Sequence, residues 1–204
     1  MRLAAVILAG GSGERLGTVV KATLRFGNRR LVDLVDARLA AAETRLLSCG
    51  RHDPSGWHLP AHLIPLPDLP FETFGPLAGL AAATHWAAAQ LSPPEAILLV
   101  PVDSPLLPDD MLPRLVAALA DAPAVLASFG GQSYPTSSIW RLAAVADLPQ
   151  QLAAGQAPRS LHRLAETLGA KDLPFPATTD GGDPFANLNT LADLVALERR
   201  VLPR

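Results

Sequence analysis

A doubly wound α/β sheet, mostly parallel and with helices on both faces, is the fold this sequence predicts, with residues 1–204 as one domain. Three observations predict it. Short aliphatic runs alternate with stretches of helical periodicity along the whole chain, as repeated β-α units require. The first run, Leu3–Leu8, is apolar at every position, as in a parallel strand covered on both sides. At 204 residues and 49% hydrophobic the chain can bury a large core, and with aromatics at 5% that core is aliphatic.

The elements follow in order. Strand Leu3–Leu8 ends in Gly10-Gly11. Leu31, Leu34, Val35 and Leu39 recur at helical spacing over Leu31–Ala42. Arg45–Cys49 reads as a second strand and His62–Leu66 as a third, between prolines. Gly75-Pro76 opens an Ala-rich helix over Leu77–Leu91, with proline in the first turn where its missing N–H costs nothing. Ala96–Val102 is the clearest strand, Asp109–Leu119 a helix and Ala124–Ser128 another strand. Residues 130–138 read as a hairpin-like insertion into the parallel order. Helices over about 141–154 and 158–169, a short strand near 171–175 and a closing helix, Leu191–Val201, complete the chain. The 20 prolines fall mostly at strand ends and loops.

Composition narrows the function. A net charge of −2 gives no reason to expect nucleic acid or an anionic membrane as partner. The charge is uneven: residues 1–51 carry nine Lys or Arg against four acids, and the remainder eight against fifteen. A basic first quarter suits a polyanionic ligand, and equally a solvated helix face. One cysteine, Cys49, excludes an internal disulfide and a multi-cysteine metal site. The five histidines show no ligand spacing. The run Leu3–Ala9 is short for a signal-peptide core and passes into glycines and Arg15. No apolar run approaches the roughly 20 residues of a membrane span. The expected setting is the cytoplasm.

The most informative segment is Leu8-Ala9-Gly10-Gly11-Ser12-Gly13-Glu14-Arg15-Leu16-Gly17, followed by Lys21. Glycines crowded behind a buried strand let the backbone turn several N–H groups toward one point, an anion nest. Arg15 and Lys21 then supply charge to phosphate oxygens, one as a fork and one as a point charge. Lysine occurs only at Lys21 and Lys171, so its presence here stands out. Two other glycine motifs are excluded. A Walker A loop needs Gly-Lys-Ser/Thr, whereas Gly17 precedes Thr18, and a dinucleotide fingerprint begun at Gly11 would need glycine where Leu16 stands.

This loop resembles the signature of the nucleotidyltransferases, and more closely that of the molybdenum cofactor guanylyltransferases. The resemblance continues through Asp68 with Gly75-Pro76-Leu77-Ala78-Gly79, then Pro101-Val102-Asp103-Ser104-Pro105 and Tyr134-Pro135-Thr136. It ends on Arg159-Ser160-Leu161 and Phe185-Ala186-Asn187-Leu188-Asn189-Thr190. It implies a Rossmann-like nucleotidyltransferase fold and transfer of GMP from GTP to molybdopterin, with Mg²⁺ as cofactor. It also implies transient contact with molybdoenzymes or their chaperones. The alternatives are a cytidylyltransferase or sugar-phosphate nucleotidyltransferase on the same fold, or a non-catalytic nucleotide-binding partner of a molybdoenzyme.

By this resemblance Leu8, Ala9, Gly10, Gly11 and Lys21 hold the triphosphate, joined by Arg15, and Ser48 lies in the nucleotide site. Asp103 places Mg²⁺ and is catalytic together with Arg15 and Lys21. Asp68 reads the base, since a carboxylate accepts from both the N1–H and the amino group of guanine. Arg159, Asn187 and Asn189 meet the pterin substrate. From the residues alone, Asp103 also suits a turn before Ser104-Pro105, Asp68 a solvated loop acid, Arg159 an exposed helix arginine, and Asn189 or Thr190 the cap of the last helix. The chain departs from the family at Val20, where an aspartate is usual, at Ser48, usually asparagine, and at Leu191, usually proline.

Overall fold

The computed structural model describes residues 1–10, 20–71 and 75–201. Its centre is a seven-stranded sheet built from β1 (Leu3–Leu8), β4 (Thr44–Gly50), β5 (Leu63–Pro67), β6 (Ala96–Pro101), β7 (Ala124–Phe129), β8 (Gln132–Arg141) and β9 (Lys171–Pro174). The strand order is β5-β4-β1-β6-β8-β7-β9. The pairs β4–β5, β1–β4, β1–β6 and β7–β9 are parallel; β8 is antiparallel to both β6 and β7. The mostly parallel sheet expected from the sequence is present, and the insertion expected near 130–138 is β8. It turns at Gly130-Gly131, both at positive φ, and then separates β6 from β7.

Side-chain alternation splits the core into two layers. Leu3, Ala5 and Ile7 of β1 and Ala96, Leu98 and Val100 of β6 face one layer. There they meet α1 (Leu31–Arg38), α3 (Met111–Leu119) and α7 (Leu191–Val201). Val6, Ile97 and Leu99 face the other layer, against α2 (Pro76–Ala88), α4 (Leu142–Val145), α5 (Leu148–Ala153) and α6 (Leu161–Leu168). Every residue of β6 is buried, which explains why its sequence is a continuous apolar run.

Several boundaries differ from the sequence reading. Helix α1 stops at Arg38, four residues early, where Leu39 takes a non-helical conformation. The helical stretch expected over 141–154 is two short helices, and its first residue still belongs to β8. A two-residue hairpin, β2 (Arg25–Phe26) with β3 (Arg29–Arg30), was not expected; Gly27 makes its turn at φ 59°. The amide of Gly27 donates to Glu198 of α7 at 2.6 Å, tying the hairpin to the last helix. Among the described residues no helix is long and apolar enough to cross a membrane.

Candidate active site

In an open α/β sheet, ligands gather beyond the carboxyl ends of the parallel strands, where successive loops diverge. Here the ends of β1, β4 and β6 are locked together. Ala9 N donates to Ser48 O at 2.9 Å and Val102 N to Leu8 O at 3.1 Å. Gly10 and Gly50 lie back to back: a Cβ on Gly10 would stand 2.7 Å from the Gly50 nitrogen. Gly50 has φ +63°, and its carbonyl accepts from Asp68 N at 3.0 Å, which brings the loop after β5 to the same edge.

These ends enclose a cleft of about 190 Å³. Of the residues expected at the nucleotide, Leu8, Ala9, Gly10, Lys21, Ser48, Asp68 and Asp103 all line it, and Asn187 joins them from the far end of the chain. Lys21 stands in a 3-10 turn, Lys21–Thr23, with its Nζ 2.6 Å from Asp103 Oδ2 and 3.4 Å from Asn189 Oδ1. Gly11 and Arg15 lie outside the described residues. Arg159 is exposed and lines a separate hollow of about 730 Å³ with Arg163, between α4, α5 and α6. Sequence reasoning missed Gly50 and Thr136 as lining residues. A lone threonine in a strand carries no signal, although the Tyr134-Pro135-Thr136 block pointed to its neighbourhood.

Asp68 is half-buried, and burial pushes its carboxyl above the usual carboxylate range while the charges of Arg51 and His52 pull it back. Among the described residues no hydrogen bond reaches this carboxylate. It is an acceptor pair partly stripped of water and facing a cleft, a state that a ligand with two adjacent donors relieves. Burial likewise raises the Cys49 thiol, consistent with packing rather than chemistry.

The 185–190 segment closes the site. Buried Leu188 donates its N–H to Asp103 O at 2.8 Å, while Asn187 and Asn189 on either side are exposed. Ser104 Oγ donates to Asn187 Oδ1 at 2.6 Å. Thr190 caps α7: its Oγ1 accepts from Asp193 N at 3.1 Å while Asp193 Oδ2 accepts from Thr190 N at 2.8 Å, a reciprocal capping box. Those bonds hold the Asp193 carboxyl below the usual range, and the Lys21 charge adds to the effect.

The chemistry of the site suits a magnesium ion only in a particular way. Among the described residues no three His, Cys, Asp or Glu side chains cluster, so a cage made of protein alone is not formed there. A single hard carboxylate, Asp103, already faces a cation in the Lys21 ammonium. That donor set fits an ion held mainly by triphosphate oxygens and water, with one carboxylate from the protein.

A lysine and two carboxylates on the walls of a cleft at the carboxyl edge of a doubly wound sheet suit a protein that binds a phosphorylated ligand. Known proteins narrow this further. The family model of the MobA-like NTP transferase domain matches residues 5–171, and the chain belongs to that family. A molybdenum cofactor guanylyltransferase of Rhodobacter capsulatus is 40% identical over 204 residues, covering 98% of this chain and 97% of its own. One of Acidiphilium cryptum is 39% identical, covering 96% of this chain and 94% of its own. Among solved structures, molybdopterin-guanine dinucleotide biosynthesis protein A of Archaeoglobus fulgidus superposes with a TM-score of 0.73 at 20% identity, covering 98% of this chain and 97% of its own. A 2-C-methyl-D-erythritol 4-phosphate cytidylyltransferase of Thermus thermophilus gives 0.67 at 19% identity, covering 98% and 100%. At these identities the two structures show the shared fold.

Proposed function

We propose that the protein transfers GMP from GTP to molybdopterin, releasing pyrophosphate and forming the guanine dinucleotide cofactor. The observation that carries the reading is convergence: Lys21, Asp68, Asp103 and Asn187, spread over most of the chain, stand on one cleft.

The terminal phosphate of the pterin supplies the nucleophile. One of its oxygens forms a bond to the α-phosphorus of GTP as the bond from that phosphorus to the bridging oxygen breaks, and pyrophosphate departs with the electron pair. No protein nucleophile is needed, because the attacking phosphate is already anionic. Catalysis is therefore positioning and charge neutralisation. The Leu8–Gly10 backbone cradles the triphosphate, and the Lys21 ammonium leaves Asp103 for phosphate oxygens. Asp68 accepts from N1–H and the amino group of guanine. Asn187 and Asn189 hold the acceptor. Asp103 would hold Mg²⁺, which when bound neutralises charge on the triphosphate.

Competition binding among GTP, CTP and ATP in Mg²⁺, followed by pyrophosphate release on adding molybdopterin, tests this. GTP should win, because a site built for two donors leaves its acceptors unpaired with other bases. Preference for CTP would make the protein a cytidylyltransferase. Nucleotide binding without turnover would make it a non-catalytic partner.

A further inference from the structure

Asn187 is exposed to the cleft, yet its amide is anchored from behind by a fully buried hydroxyl. Ser104 Oγ lies 2.6 Å from Asn187 Oδ1 and 3.4 Å from the Phe185 carbonyl. One residue on, Leu188 N meets Asp103 O at 2.8 Å, so two consecutive residues of the turn after β6 hold two consecutive residues of the closing segment. The segment's other end is equally fixed. Asp183 accepts from Phe185 N at 2.8 Å and from the Tyr134 hydroxyl at 2.6 Å, and the Phe185 ring packs 5.0 Å from that of Tyr134.

We infer that Ser104 is a positioning residue: its hydroxyl fixes the Asn187 amide with Nδ2 outward, so that Asn187 meets the acceptor only as a hydrogen-bond donor. This rests on the reading that the acceptor attacks through a phosphate. A hydroxyl serves either end of an amide in principle. Here 2.6 Å is an ordinary O–H···O length and is shorter than N–H···O bonds run, which places the amide oxygen against Ser104. An amide turned the other way would set its oxygen against an anion. Held this way, Asn187 discriminates for a phosphate oxygen and costs no reorientation when it binds.

The test is steady-state pyrophosphate release by the full chain with GTP and molybdopterin, together with ¹⁵N NMR of the Asn187 side-chain amide. Ser104→Ala should raise the molybdopterin KM roughly tenfold, the worth of one charge-assisted hydrogen bond, with GTP affinity and kcat at saturating acceptor nearly unchanged. Asn187→Asp keeps an acceptor for Ser104 but removes the donor; it should raise the same KM at least as much, and the double variant should be no worse. Ser104→Thr keeps the hydroxyl and should recover most of the loss. In NMR, the Asn187 amide resonances should move in Ser104→Ala and stay in Ser104→Thr. An unchanged acceptor KM in Ser104→Ala overturns the inference, as does equal loss of GTP and acceptor binding. If wild type transfers no GMP, the functional reading fails by itself, and the NMR comparison still decides whether Ser104 orients the amide.

Discussion

Replacing Gly10 by alanine probes the closest backbone approach at the site. The added methyl would stand 2.7 Å from the Gly50 nitrogen and 2.8 Å from its Cα. Carbon contacts relax at about 3.5–4.0 Å, so the ends of β1 and β4 must part by roughly 1 Å. No flexible side chain is available to yield, since both neighbours are backbone. Parting the ends stretches the bond from Ala9 N to Ser48 O, now 2.9 Å, and reshapes the cleft floor. Overpacking of this kind typically costs about 1–3 kcal/mol, and the rigid neighbours place Gly10→Ala in the upper half of that range. With a urea slope of about 2 kcal/mol/M, the midpoint should fall by about 1 M, and GTP affinity should fall with it. Gly56→Ala is the control, because a Cβ there meets nothing within 4 Å. Its midpoint should hold or rise slightly, through a stiffer unfolded chain. Equal midpoints for Gly10→Ala and wild type would refute the argument that this contact sets the shape of the cleft.

Lys21→Ala should weaken GTP binding at least tenfold by calorimetry, since a charge-assisted phosphate contact is worth roughly 1.5–3 kcal/mol, whereas exposed Lys171 at the start of β9 should tolerate the same change. Asp68→Asn should erase the preference for GTP and also change the pH dependence of stability. Burial raises the folded carboxyl, so ionisation costs stability; the variant should match wild type below the usual carboxylate range and exceed it near neutrality in urea titrations. Thr190→Ala removes the cap of α7 and should cost about 1 kcal/mol, lowering Tm by roughly 2–4 °C.

Much of this was legible in the sequence because the signals were local. A continuous apolar run followed by glycines marks β1 and its turn, and Ala96–Val102 leading into Asp103 marks the strand with its carboxylate. The Asn187-Leu188-Asn189 block, singled out by the resemblance, proves to be one buried residue between two exposed amides. What stayed hidden depends on pairing at a distance. The Gly130-Gly131 turn announces a hairpin, but nothing in residues 132–141 says that β8 will insert between β6 and β7. Two-residue strands such as β2 and β3 are too short for any period to show. The contact of Lys21 with Asp103 joins residues 82 positions apart, and that of Ser104 with Asn187 joins residues 83 apart. No spacing rule reaches so far.

The departures at Val20 and Ser48 can be weighed against the surroundings the fold provides. A carboxylate is missing before Lys21, yet the ammonium already meets Asp103 directly and acts on the Asp193 carboxylate through space. Its charge is balanced without an acid at position 20. At position 48 the space is set by α2: a Cβ on Gly79 would stand 2.9 Å from Ser48 Oγ and 2.6 Å from Leu8 Cδ2. The small serine side chain and the glycine opposite it therefore pack as a pair, and a longer amide at 48 would have to turn toward the cleft. What the chain loses is one polar reach into the nucleotide site. The Leu8–Gly10 backbone, the Lys21–Asp103 pair and the Asp68 carboxylate all remain on the walls of the cleft, so on the proposed reading these changes bear on nucleotide affinity more than on the arrangement that transfers GMP.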